Sequence, residues 1–256
     1  LFALELGEPS VDIPDELLEC LLRFYRLNLP TSIYTFIFSC VEAVKQGKQN
    51  LKGVVDGFNV IEGFLVRRAV GGIEPTGLHA VFKGMYSEIT KNVDYDSEIT
   101  AKSIESELLK RSTLPWPDDE QFKQDLKNGD LYSRRICKYI IHEYELYSGG
   151  ESPSDGFWVE HVLPQSITKK WSVDFDDASH QIWKNTFANL IPLTAEMNGK
   201  AGQNEYSKKK VEYKGSIFSS SRNFADVFDS WDLPSIEARA EELGTWGIAR
   251  WPKSSV

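Results

Sequence analysis

A chain of 256 residues, 41% of them apolar and 12% aromatic, has enough apolar material for one large core or two modest ones. No run reaches the roughly 18 apolar residues of a membrane span, and there is no low-complexity stretch, so a folded globular protein outside the bilayer is expected. The net charge of −9, with 17 basic against 23 acidic side chains through Gly150 and 12 against 15 beyond it, excludes a protein that coats nucleic acid by overall positive charge. One basic cluster stands out, Lys200, Lys208, Lys209, Lys210 and Lys214, with Glu205 and Glu212 among them. Any nucleic-acid contact must therefore be local, and weak intrinsic binding is expected.

Cys20, Cys40 and Cys137 are odd in number and sit in apolar helical surroundings without a Cys-x-x-Cys spacing. They read as buried free thiols and not as a zinc or disulfide framework. The start at Leu1, with no basic-then-apolar leader, reads as a fragment of a longer cytoplasmic protein.

Apolar spacing predicts a helix over Ile13–Leu27, with Pro14 tolerated in its first turn. Pro30-Thr31-Ser32 opens a second, with Ile33, Phe36, Ile37, Cys40, Val41 and Val44 on one side and a stop at Gly47. Further helices are predicted over Asn59–Val70, Leu78–Ile89, Ile99–Leu109, Asp118–Lys127 and Leu131–Tyr147. Arg67-Arg68 and Arg134-Arg135 read as helix-face charges. Ser148-Gly149-Gly150-Glu151-Ser152-Pro153-Ser154 reads as a linker, dividing a helical region, 1–150, from a second domain, 151–256.

Beyond the linker the period changes. Gly156–Val162 and Leu190–Leu193 suit short strands, joined by a long connection anchored by Trp171 and Trp183, with a helical piece over Asp176–Asn185. Asn204–Tyr213 and Pro234–Arg250 are predicted helices, the last turning Ile236, Ala240 and Leu243 inward.

The chemistry concentrates in Trp158-Val159-Glu160-His161-Val162-Leu163-Pro164-Gln165, followed by Asn189-Leu190 and Asn198-Gly199-Lys200. A histidine near neutral pKa can take a proton from water, and oxygen side chains can hold a hard divalent ion. Together these are the minimal equipment for hydrolysing a phosphodiester. In a regular strand Glu160 and His161 point to opposite faces, so a shared site requires the chain to bend there, which Pro164 favours. His79, His142 and His180 have no ligand-like spacing and read as core or surface residues.

The pattern Glu-His-Val-Leu-Pro-Gln, then Asn-Leu-Ile-Pro-Leu, then Asn before a lysine-rich helix, resembles the HNH (ββα-metal) nucleases. More narrowly, it resembles the C-terminal nuclease region of the GmrSD and SspE type of bacterial defence proteins, over about Phe157 to Tyr213. The resemblance implies a mainly α protein, an N-terminal helical bundle followed by an HNH ββα-metal unit embedded in further helices. It implies that His161 is the catalytic base and that Asn189 orients its ring through a hydrogen bond. Glu160 and Asn198, the latter at a helix entrance, would hold a divalent metal, Mg²⁺ first and Mn²⁺ second. Many relatives have Asp where Glu160 stands. Lys208, and more weakly Lys200, are candidates for contacting substrate phosphate.

The resemblance also implies a prokaryotic restriction or nicking endonuclease acting on phage or modified DNA, partnered by an N-terminal nucleotide-hydrolysing domain of the same protein. A different class of reading is a non-catalytic helical module, with a decayed HNH unit, that binds DNA or a partner protein. RNA as the substrate is a third.

Overall fold

Helical periodicity is realised through most of the computed structural model, which describes residues 13–28, 31–92, 94, 96–111, 113–152 and 156–253. Pro30, expected to open the second helix, and Pro153 and Ser154 of the expected linker lie outside the described residues. Among those described, twelve α-helices accompany one two-stranded sheet, so the mainly helical expectation holds. No described helix is long and apolar enough to cross a membrane. The chain forms two compact units, one of residues 1–119 with 250–256 and the other of 120–249. The composition break near Gly150 falls inside the second unit, ahead of its strands.

The first unit contains α1 (Asp15–Leu27), α2 (Tyr34–Lys45), α3 (Leu51–Val70), α4 (Leu78–Thr90) and α5 (Ala101–Leu109). In α1, Leu17, Cys20, Leu21 and Phe24 follow the i, i+3, i+4, i+7 stripe and are all buried. The rings of Phe24, Phe36, Phe58 and Phe82 meet in the middle of this core.

Helix α3 begins eight residues before the expected Asn59. Asn50 caps it by accepting from the Gly53 amide at 3.1 Å. Gly53 and Gly57 weaken the local helix signal, and packing against the start of α5 explains both. A Cβ on Gly53 would lie 2.6 Å from the Ile99 carbonyl oxygen, and one on Gly57 would lie 2.5 Å from Ile104 Cδ1. Tertiary contact here overrides propensity.

Arg67 and Arg68 are not helix-face charges on the surface; both are buried. Arg67 donates to the carbonyls of Trp251 at 2.8 and 2.9 Å and Pro117 at 3.1 Å, and pairs with Asp119. Arg68 donates to the carbonyls of Pro115 at 2.7 Å and Glu74 at 2.8 Å. The Arg67 guanidinium thus satisfies carbonyls of the buried Pro117 and Trp251, and Arg68 ties two further loop carbonyls to the helix. Buried Glu62 binds Arg23, Arg250 and the Trp251 indole, each at 2.7 Å.

The second unit holds α6 (Asp119–Asn128, from Glu120 onward), α7 (Cys137–Tyr147), β1 (Trp158–His161), α8 (Asp177–Trp183), β2 (Leu190–Leu193), α9 (Ala195–Ala201), α10 (Tyr206–Lys214), α11 (Ser219–Val227) and most of α12 (Leu233–Arg250). Residues 131–136, expected to begin α7, form turns instead. The strands pair antiparallel, with Glu160 opposite Ile191 and His161 opposite Leu190. Pro192 is tolerated in β2 because a two-stranded sheet leaves each strand with an unpaired edge.

The long connection between the strands is pinned by buried Trp171, Phe175, Trp183 and Phe187. Of the two anchors expected there, both are realised. Ile236, Ala240 and Leu243 of α12 are buried as expected.

All three cysteines are free and buried. Burial raises the Cys40 thiol and pushes Cys137 up to about 12. In Cys20 burial also dominates and raises the thiol, despite Arg23 nearby. Thiolate is the reactive form. A thiol-disulfide reagent at mildly alkaline pH is therefore expected to label none of the three in the native chain within minutes, and all three in denaturant. Rapid native labelling of even one would contradict this packing.

Candidate active site

Strand β1 keeps its ladder through His161, and the Val162 amide continues it by donating to the Asn189 carbonyl at 3.0 Å. The bend required to bring Glu160 and His161 to one face is therefore not made. Regular pleating sends the two side chains to opposite sides, and their contacts separate accordingly.

On one side, the buried Glu160 carboxylate gathers three donors. Its Oε1 accepts from Lys209 Nζ and from the Tyr213 hydroxyl, each at 2.8 Å, and its Oε2 accepts from Asn198 Nδ2 at 3.1 Å. Lys209 has no exposed side-chain surface and also donates to the His161 carbonyl at 2.7 Å. Burial raises the Glu160 carboxyl and lowers the Lys209 ammonium, while their mutual attraction opposes both shifts. The Tyr213 phenol is pushed well above its usual range, by burial first and then by the Glu160 charge.

On the other side, the His161 ring packs edge-on against Tyr132, with centroids 4.3 Å apart. Its Nε2 meets Asn185 Oδ1 and Gln165 Nε2, each at 3.3 Å. Burial lowers the imidazole to about 4; Asn185 and Asp130 oppose the shift, and Lys209 and Lys184 add to it. The ring is therefore neutral at physiological pH, the form that accepts a proton.

The expected hydrogen bond from Asn189 to this ring is not formed. Asn189 instead fastens the turn after β1. Its Oδ1 accepts from the Leu163 amide at 2.7 Å and the Trp231 indole at 3.1 Å, and its Nδ2 donates to the Leu163 and Lys184 carbonyls at 2.8 Å each. Four bonds saturate the amide, so none remains for the imidazole. His180 adds a bond from its ring to the Pro164 carbonyl at 2.8 Å.

Asn198 lies within α9, four residues after the Thr194 cap, and not at a helix entrance. Lys208 and Lys200 are exposed and turned to nearby glutamates, Glu205 just before α10 at 3.4 Å and Glu196 of α9 at 2.8 Å. Neither joins Glu160. The lysine that does is Lys209, in the sequence only one member of the basic cluster, although Tyr206, Lys209 and Tyr213 repeat at i, i+3, i+7 and mark the inward stripe of α10. Asn185 and Tyr132 had no sequence signal of their own.

A two-stranded antiparallel hairpin with a long looped connection, followed by short helices that return an asparagine and a lysine to the first strand, defines this unit. Residues 116–246, just over half of the chain, match the family described as GmrSD restriction endonucleases, C-terminal domain. The chain belongs to that family. No curated protein and no solved structure matches it.

A divalent ion can be tested against these side chains. Among the described residues no three His, Cys, Asp or Glu side chains gather as a metal cage. Glu160 and Asn198 offer a carboxylate and an amide whose ends stand 3.1 Å apart, near the ~3.0 Å between adjacent oxygens around octahedral Mg²⁺. A half-turn of the Asn198 amide would present its oxygen to the Glu160 carboxylate in place of the nitrogen that now donates to it. A carboxylate and an amide are oxygen donors of the kind a hard divalent ion takes, and Glu160 and Asn198 are the residues that would hold one here. Lys209, on the other oxygen of the same carboxylate, makes that site weak.

Removing one partner of a buried ion pair costs about 3–5 kcal/mol, whereas an exposed pair contributes about 0–1 kcal/mol. Lys209→Met is therefore expected to destabilise the chain by about 3–5 kcal/mol in chemical denaturation. Adding Glu160→Gln should recover part of that loss. Lys208→Met should change stability by no more than about 0.5 kcal/mol.

Proposed function

We propose that this chain is a metal-dependent DNA endonuclease of the HNH (ββα-metal) type, a nicking or restriction effector of anti-phage defence. The observation that carries the reading is the meeting of the Glu160 carboxylate and the Asn198 amide, one residue along β1 from His161 and on the opposite side of the strand from its ring, inside the span that matches a restriction-endonuclease family. In this reading Glu160 and Asn198 hold Mg²⁺, or Mn²⁺ in its place, and DNA is the partner. Modified or phage DNA as the target, and a nucleotide-hydrolysing domain as a further partner, belong to the same proposal.

His161, kept neutral by burial, accepts the proton of a water as that oxygen bonds to phosphorus. The bond from phosphorus to the departing sugar oxygen breaks, and that oxygen leaves with the bonding electrons. The bound ion would neutralise charge developing on the phosphate. Asn189 acts at one remove, by fixing the backbone that ends β1. Lys208 and Lys200 are assigned to DNA phosphates alongside; their exposure leaves them free to exchange glutamate for phosphate.

A second reading has an observation in its favour. Glu160 is already satisfied by Lys209 and Tyr213, and the His161 ring lies on the other side of the strand. Those contacts suit a non-catalytic module built on the same unit.

Supercoiled-plasmid nicking separates the two. With Mg²⁺ or Mn²⁺ the wild type is expected to nick DNA, and His161→Ala to lower the rate by about 10²–10⁴-fold. Asn198→Ala should raise the ion concentration needed for half-maximal cleavage. Cleavage that survives loss of His161 ends the catalytic assignment. DNA binding without cleavage in either ion supports the second reading.

A further inference from the structure

The His161 ring lies at one end of a chain of hydrogen bonds that ends at an acid. Asp130 precedes α7, and its Oδ2 accepts from Asn185 Nδ2 at 3.1 Å. The same carboxylate is fixed by Ser133, whose amide donates to Oδ1 at 3.0 Å and whose hydroxyl donates to Oδ2 at 2.9 Å. An ionised carboxylate only accepts, so the end of the Asn185 amide that faces it must be the NH₂ group. The oxygen of that amide then faces the imidazole, where it stands 3.3 Å from Nε2. An amide oxygen only accepts, so Nε2 must bear the hydrogen.

We propose that Asn185, oriented by Asp130, is a positioning residue that holds the His161 ring as its Nε2–H tautomer and leaves Nδ1 as the proton acceptor. The backbone reinforces the arrangement, since the Tyr132 amide donates to the Asn185 carbonyl at 3.1 Å while the Tyr132 ring packs against the imidazole. Gln165 approaches the same nitrogen with an amide whose ends interchange by a half-turn, and with the hydrogen on Nε2 its oxygen faces the ring. The catalytic part of this inference rests on His161 being the base; the tautomer does not.

Nitrogen-15 correlation spectra of the full labelled chain near neutral pH report the tautomer directly, with His161 assigned by comparison with His161→Gln. The expected pattern for the wild type is Nε2–H. Asn185→Ala and Asp130→Ala should each give a mixed tautomer. Each should also lower kcat for plasmid nicking about 10–100-fold with KM unchanged, the usual effect of removing a residue that orients a site histidine. An Nδ1–H or evenly mixed ring in the wild type overturns the inference, as does an unaltered tautomer in both variants. Asp130 is exposed, so its variant serves where Asn185→Ala does not fold. Nicking that persists in His161→Ala removes the base assignment and leaves the tautomer result standing by itself.

Discussion

The second unit depends on one buried charge. Placing the Glu160 carboxylate on a strand that faces the interior is unfavourable unless donors surround it. Lys209 and Tyr213 of α10 and Asn198 of α9 meet that requirement, so two helices distant in sequence from β1 are held to its carboxylate. Hydrogen bonds to a charged group contribute about 1.5–3 kcal/mol each, and leaving one unmade at a buried site costs more than forming it returns. The position of α10 against β1 is therefore specified by polar contact as well as by the aromatic packing of Tyr206, Tyr213, Phe224 and Trp231.

The regularity of β1 has a consequence for chemistry. A pleated strand separates adjacent side chains, so Glu160 and His161 each acquire a private environment: cationic and closed for the first, amide-lined and edged by Tyr132 for the second. The backbone joins them, because Lys209 Nζ binds both the Glu160 carboxylate and the His161 carbonyl. A change in the charge on Glu160 is thus felt by the main chain that carries the imidazole. Lys209 is the physical link between the Glu160 side of the strand and the His161 side.

The parts of this arrangement that the sequence made readable are those set by local pattern. Apolar stripes located α1, α2, α4, α5 and α12 to within two or three residues, and β-prone runs located both strands. What stayed hidden was decided by distant partners. Helix α11 opens with three serines, a poor start by propensity, and is capped by Glu145 of α7, which accepts from the Ser219 and Ser220 amides at 2.7 and 2.9 Å. Arg67 and Arg68 look like surface charges until loop carbonyls beside them are known. Within the candidate site, the residue types at positions 160, 161, 189 and 198 were legible as a set, but the partners of each were not. Asn189 bonds the Leu163 main chain where a bond to the ring was expected, because a buried turn leaves main-chain groups that only a side-chain amide can satisfy from both ends.

Electrostatics limit how this surface meets a polyanion. The lysines that gave α9 and α10 a basic look are largely spoken for: Lys200 by Glu196, Lys208 by Glu205, Lys209 by Glu160 and Lys210 by Asp229. A DNA phosphate that recruits any exposed member of this group must displace a carboxylate, so the gain from counterion release is offset by the pair that is broken. Around His161 the balance is finer. Asp130 is ionised, its carboxyl held below the usual range by Ser133, Asn185 and Arg134 against the effect of burial, and it stands behind Asn185 as seen from the ring. That negative charge favours the proton once His161 has taken it, while it repels an approaching phosphate, and Arg134 and Lys184 lie near enough to be felt by Asp130 and His161 respectively. With few lysines free to neutralise phosphates, affinity for DNA on this face is thus expected to be modest and only weakly dependent on salt.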